Sequence, residues 1–95
     1  RARVRLMGAA DMQAALDLLG DEAPAIGIWS RTPLRTTARQ VHLHAMPADA
    51  AAAAHALFAE LRALDALGVG LIWIEAVPPT AEWAGVADRL RRAAA

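Results

Sequence analysis

The sequence contains no cysteine, which removes disulfides and thiolate metal sites from consideration and fits a reducing compartment. It has no lysine either: all ten basic residues are arginine. With the alanine excess, that reads as a codon bias, because no binding chemistry demands it. Net charge is missing too, since Lys+Arg and Asp+Glu each number 10. A chain without charge excess has no electrostatic reason to bind nucleic acid strongly, because that affinity comes from neutralising phosphates. No apolar run approaches the roughly 20 residues needed to span a bilayer. The opening Arg1-Ala2-Arg3 offers neither an initiator methionine nor the apolar stretch of a signal peptide. The expectation is one domain, residues 1–95, cut from a longer cytoplasmic protein, with no membrane contact and no direct nucleic-acid contact.

What is present is apolar surface. Hydrophobic residues make up 57% of the 95, which excludes disorder and fits a single core-bearing domain. Much of that content is alanine, so the larger side chains must carry the burial.

Along the chain, Val4–Met7 reads as a short strand with arginines alternating before and within it. Met12, Ala15, Leu16 and Leu19 then recur at helical spacing, with Gly20 as a C-cap and Pro24 beyond. Ala25–Trp29 reads as a second strand, Ser30–Ala38 as loop, and Arg39–Ala45 as a third strand. Asp49 is placed to cap a helix running to Leu67, with Leu57, Leu61 and Leu64 on one arc and Phe58 and Leu67 at its edges. Gly68 ends that helix. Leu71–Val77 is nearly all apolar, as a strand buried on both faces would be. Thr80 is placed to cap a last helix with a Trp83, Val86, Ala87, Leu90 stripe.

Two architectures fit this β-α-β-(loop)-β-α-β-α order. Pairing strands two and three as a hairpin gives an α+β ferredoxin-like βαββαβ fold. Reading Ser30–Ala38 as a degraded crossover gives a small Rossmann-like α/β fold with a mostly parallel sheet. The C-terminal helix and the apolar last strand favour the second, with strand order 2-1-3-4 and helices on both faces.

Several residues invite chemistry. His42 and His44 share one strand face and could share a metal, or form a half-exposed docking face. His55 is the one further histidine, and it lies on a helix. Glu75 ends the apolar strand where open α/β sheets bind ligands, so it could hold a ribose or amine, cap a helix, or pair with an arginine. No Gly-rich phosphate loop accompanies it, and Gly68 and Gly70 read as a turn. Ser30, Thr32, Thr36 and Thr37 have no histidine–carboxylate pair spaced to activate them. Arg1, Arg3 and Arg5 read as the solvated face of an edge strand beside a linker, and Trp29, Trp73 and Trp83 as core or rim. Asp65 falls beside the leucine arc, which predicts partial burial, a bond to Arg89 or to free backbone N–H groups, and a cost of about 1–3 kcal/mol for Asp65→Ala.

From Met46 onward, the text MPADAAAAAHALFAELRALDALGVGLIWIEAVPPTAEWAGVADRLRRA resembles the C-terminal accessory domain of two-domain threonylcarbamoyl-AMP synthases. The likeness lies in Leu57-Phe58, Leu61-Arg62, Leu64-Asp65, Gly68-Val69, Glu75 and Arg89-Leu90. Many members carry asparagine where this chain has Asp88, and a Gly-rich turn where it reads Pro78-Pro79-Thr80. The resemblance implies a role in making threonylcarbamoyl-adenylate from ATP, threonine and bicarbonate for tRNA modification. It places ATP and magnesium in a YrdC-type catalytic domain that this chain lacks, and no cofactor, metal or catalytic residue here. It further implies that the accessory domain helps a linker cover that domain's active site. Asp65, Arg62, Glu75, Arg89, His42 and His44 are then the structural or docking candidates. A homodimer is left open, and so is the alternative of a free-standing small-ligand-binding regulatory module.

Overall fold

The computed structural model describes residues 2–95, so the reading of Arg1 lies outside the described residues. The chain runs β1 (Arg3–Met7), α1 (Ala9–Leu19), β2 (Ile26–Ser30), β3 (Val41–Ala45), α2 (Ala50–Ala66), β4 (Leu71–Glu75) and α3 (Ala84–Ala94), with 3-10 turns at Gly20–Glu22 and Ala81–Trp83. Gly20 (φ 61°) closes α1 and Gly68 (φ 77°) follows α2, both in the left-handed region that side chains disfavour. Asp49 caps α2 as its position predicts, its carboxylate accepting from Ala52 N at 2.9 Å. Thr80 makes no side-chain cap. Among the described residues, no helix is long and apolar enough to cross a membrane.

All four strands are parallel, in the order β1-β4-β2-β3. The α/β reading with a parallel sheet therefore stands, and the hairpin alternative falls, because β2 and β3 pair in parallel. The predicted order 2-1-3-4 is corrected. That order put β2 and β4 outside, whereas the sheet puts them inside. The physical reason is in the side chains. Ile26–Ser30 is buried at every position, and Leu71–Glu75 at all but its first; such strands need a neighbour on each edge and a layer on each face. β1 and β3 alternate exposed or half-buried polar residues with apolar ones, as edge strands do.

Helices cover both faces as expected, α1 on one side and α2 with α3 on the other. The α1 layer joins Met12 and Leu16 to Ile26, Ile28 and Trp73. The thicker opposite layer packs Ala53, Leu57, Leu64, Val86 and Leu90 against Trp29, Ile72 and Ile74. All three tryptophans are core residues. Phe58, at one edge of the leucine arc, is instead 57% exposed. α2 approaches β2 closely because Gly27 has no side chain: a Cβ there would lie 2.9 Å from Leu64 Cδ2.

Parallel neighbours need a crossover, usually helical, yet residues 31–40 contain no helix. Side chains of α1 and of the turn after it hold this segment instead. Gln13 Nε2 donates to Arg35 O and Arg35 N donates to Gln13 Oε1, each at 2.9 Å. Thr37 Oγ1 donates to Asp21, and Leu34 packs onto the α1 layer.

Candidate functional site

The connections place one crevice above all others. β1 leads through α1 past β4 to β2, and β3 leads through α2 back past β2 to β4. The chain leaves the C-terminal ends of β4 and β2 in opposite directions, toward α3 beside β1 and toward β3. Open α/β sheets bind ligands at such a switch point. Here Glu75 tops β4 and Ser30 tops β2, both buried.

The crevice is filled from within. Glu75 Oε1 accepts from Arg31 N at 2.8 Å and Thr32 N at 2.9 Å. Its Oε2 accepts from Arg31 Nη2 at 3.0 Å and Thr32 Oγ1 at 3.1 Å. A carboxylate accepts about four hydrogen bonds, so this one is saturated. The successive amides of Arg31 and Thr32 both donate to the same oxygen, so the anion they hold is the protein's own. Arg31 is equally committed: Nη2 donates to Ala76 O at 2.9 Å, Nη1 to Met46 Sδ at 3.3 Å, and its guanidinium carbon lies 5.2 Å from the Trp83 ring centroid. Ser30 Oγ donates to Thr32 O at 2.8 Å. The cluster thus ties the loop after β2 to the top of β4. No group of three or more metal-ligating side chains occurs among the described residues.

Of the readings open for Glu75, pairing with an arginine is the one realised. The partner, Arg31, was not singled out from the sequence. Its signal was available: the apolar runs Ile26–Trp29 and Leu71–Ile74 are each followed closely by a lone charge of opposite sign, Arg31 and Glu75, at the same end.

The other candidates do not converge. His42 and His44 lie on the edge strand β3, and His44 Nδ1 sits 2.8 Å from Glu60 Oε2 of α2. His55 is exposed on α2. Asp65 is exposed, which corrects the expected partial burial, and it does not bond Arg89; the other expected partner, a free backbone N–H, is realised, its Oδ1 accepting from Ala2 N at 3.3 Å. It lies about 80° round the helix from Leu57 at 3.6 residues per turn, outside an arc centred on the fully buried Leu57 and Leu64. Arg89 is exposed on α3. Arg62, beside Asp65, lines an open groove of about 1150 Å³ along β1, together with Val4, Leu6, Leu61 and Arg92.

A family model described as threonylcarbamoyl-AMP synthase, C-terminal domain, matches residues 1–95. No curated protein and no solved structure matches the chain.

Proposed function

The chain belongs to the family of threonylcarbamoyl-AMP synthase C-terminal domains, and we propose that it is the accessory domain of an ATP-dependent L-threonylcarbamoyladenylate synthase acting in tRNA modification. In this reading it is joined to a YrdC-type catalytic domain in a cytoplasmic protein, and it helps position the interdomain linker over that domain's active site. ATP, magnesium and threonine are handled by the catalytic domain. The observation that carries the reading is the saturated Glu75: the crevice where such a sheet would take a ligand is closed by four bonds from Arg31 and Thr32. A carboxylate so committed suits a rigid docking body better than a metabolite sensor. Adenylate chemistry also needs cationic groups or a metal beside the reacting phosphate, and Arg31 is already spent on Glu75, Ala76 and Met46.

The test is pyrophosphate release from ATP, threonine, bicarbonate and magnesium, measured for this chain, for the catalytic domain, and for the two joined. This chain alone gives the no-protein blank, and joining it changes the rate of the catalytic domain. Turnover by this chain alone, abolished by Glu75→Gln, would make it an enzyme. An unchanged rate on joining would remove the proposed role.

A further inference from the structure

The groove along β1 differs from the closed crevice in having open hydrogen-bonding groups. Arg3 N donates to Gly70 O at 3.1 Å, and Met7 O accepts from Ala76 N at 2.8 Å. In a parallel strand, each residue turns its N–H and C=O to the same side, and successive residues alternate. Arg3, Arg5 and Met7 therefore face β4, whereas Val4 and Leu6 turn their N–H and C=O outward. Among the described residues, β1 is an edge strand with β4 as its one strand partner. Ala2 N, also outward, is taken by Asp65 Oδ1. Val4 and Leu6 thus present a short pairing template.

The side chains around this edge select the partner. Arg3 and Arg5 are exposed on one face of β1, and Arg62 stands exposed at the other side of the groove. None of these three has an ion-pair partner among the described residues. On the opposite face, Val4 and Leu6 pack on the α2–α3 layer, with Leu61 and Ala94 beside them in the groove wall. We infer that the free edge of β1 docks an extended polypeptide segment whose side chains alternate acidic and small apolar, adding a fifth strand to the sheet. Its acidic residues lie across from Arg3 and Arg5 as opposite-charge cross-strand pairs, and its apolar residues face the groove wall. Main-chain bonds supply affinity and the alternating side chains supply specificity. A second copy of β1 is disfavoured, because it would set arginine against arginine. A nucleic-acid strand is disfavoured too, because phosphates accept hydrogen bonds and leave the outward carbonyls of Val4 and Leu6 unmet. The inference stands on this edge geometry and does not depend on the proposed function.

The probe is a blocked eight-residue peptide alternating glutamate and valine, titrated into the isotope-labelled chain by NMR. The expected result is saturable shifts at the Val4 and Leu6 amides with slowed hydrogen exchange at both. Binding should weaken at least tenfold in R3E/R5E, and also in R3Q/R5Q, with an unchanged urea midpoint confirming the fold. A peptide N-methylated at alternate amides, a lysine-for-glutamate peptide and a single-stranded RNA octamer should each bind at least tenfold more weakly. Absence of shifts at Val4 and Leu6, undiminished binding in both arginine pairs, or equal binding by any of the three control ligands overturns the assignment.

Discussion

The top of the β4–β2 seam and the free edge of β1 are both places where a parallel sheet exposes unpaired backbone groups, and this chain treats them oppositely. At the seam, two amides after β2 meet a buried carboxylate held at 2.8 and 2.9 Å, with an arginine at 3.0 Å behind it. At the edge, Ala2 N meets an exposed aspartate, while Val4 and Leu6 meet no strand of the described residues on their outward side. The closed region uses charge to fix a loop that has no helix to fix it. The open region keeps arginines unpaired beside an apolar wall. Function that depends on a ligand in the seam is thereby disfavoured, and function that depends on docking is left room.

Removing the carboxylate breaks this contrast most severely. Glu75→Ala leaves the Arg31 guanidinium and two amides without their acceptor in a largely buried site, so the expected loss is about 3–5 kcal/mol, read by urea unfolding. A loss below about 1 kcal/mol would show that water serves those donors and that the seam is open. The next effect concerns the layer beneath. Gly27→Ala forces Leu64, itself fully buried, away from β2, with an expected cost of about 1–3 kcal/mol. Loss of the Asp49 cap in Asp49→Ala should cost about 1 kcal/mol, seen as a lower urea midpoint with unchanged slope. Smallest are the edge changes: Asp65→Ala and Arg3→Ser should each stay within about 0.5 kcal/mol, as for exposed side chains with little packing. For Asp65 that lowers the figure its sequence position suggested. A cost above about 1 kcal/mol at either position would make the edge part of the stability core.

The same contrast explains what the sequence made legible. Helix α2 could be read closely, because a capping aspartate, a leucine arc and a terminal glycine all agree. The parallel α/β class followed from the apolar Leu71–Val77 run and the C-terminal helix. Strand order was misread although its evidence was present: Arg3 and Arg5 alternate in β1, His42 and His44 alternate in β3, while β2 and β4 do not alternate at all. Weighing those patterns over chain order would have put β4 and β2 at the centre. The burial of Asp65 was misjudged because an arc drawn through Leu57 and Leu61 points about 30° away from the one through Leu57 and Leu64 at 3.6 residues per turn. Arg31 was passed over because its signal, a lone charge just beyond one apolar strand matching Glu75 at the end of another, acquires meaning only once the two strands are taken as neighbours. The edge groove is a tertiary property of three elements, and no local spacing announces it.

Amide hydrogen exchange of the unliganded chain tests the difference between the two regions in one experiment. Arg31 and Thr32 amides, bonded to a buried carboxylate, should exchange orders of magnitude more slowly than the Val4 and Leu6 amides on the open edge. If Arg31 and Thr32 exchange as fast as Val4 and Leu6, the seam is not closed and a ligand role there returns; if all four are slow, the edge is not open.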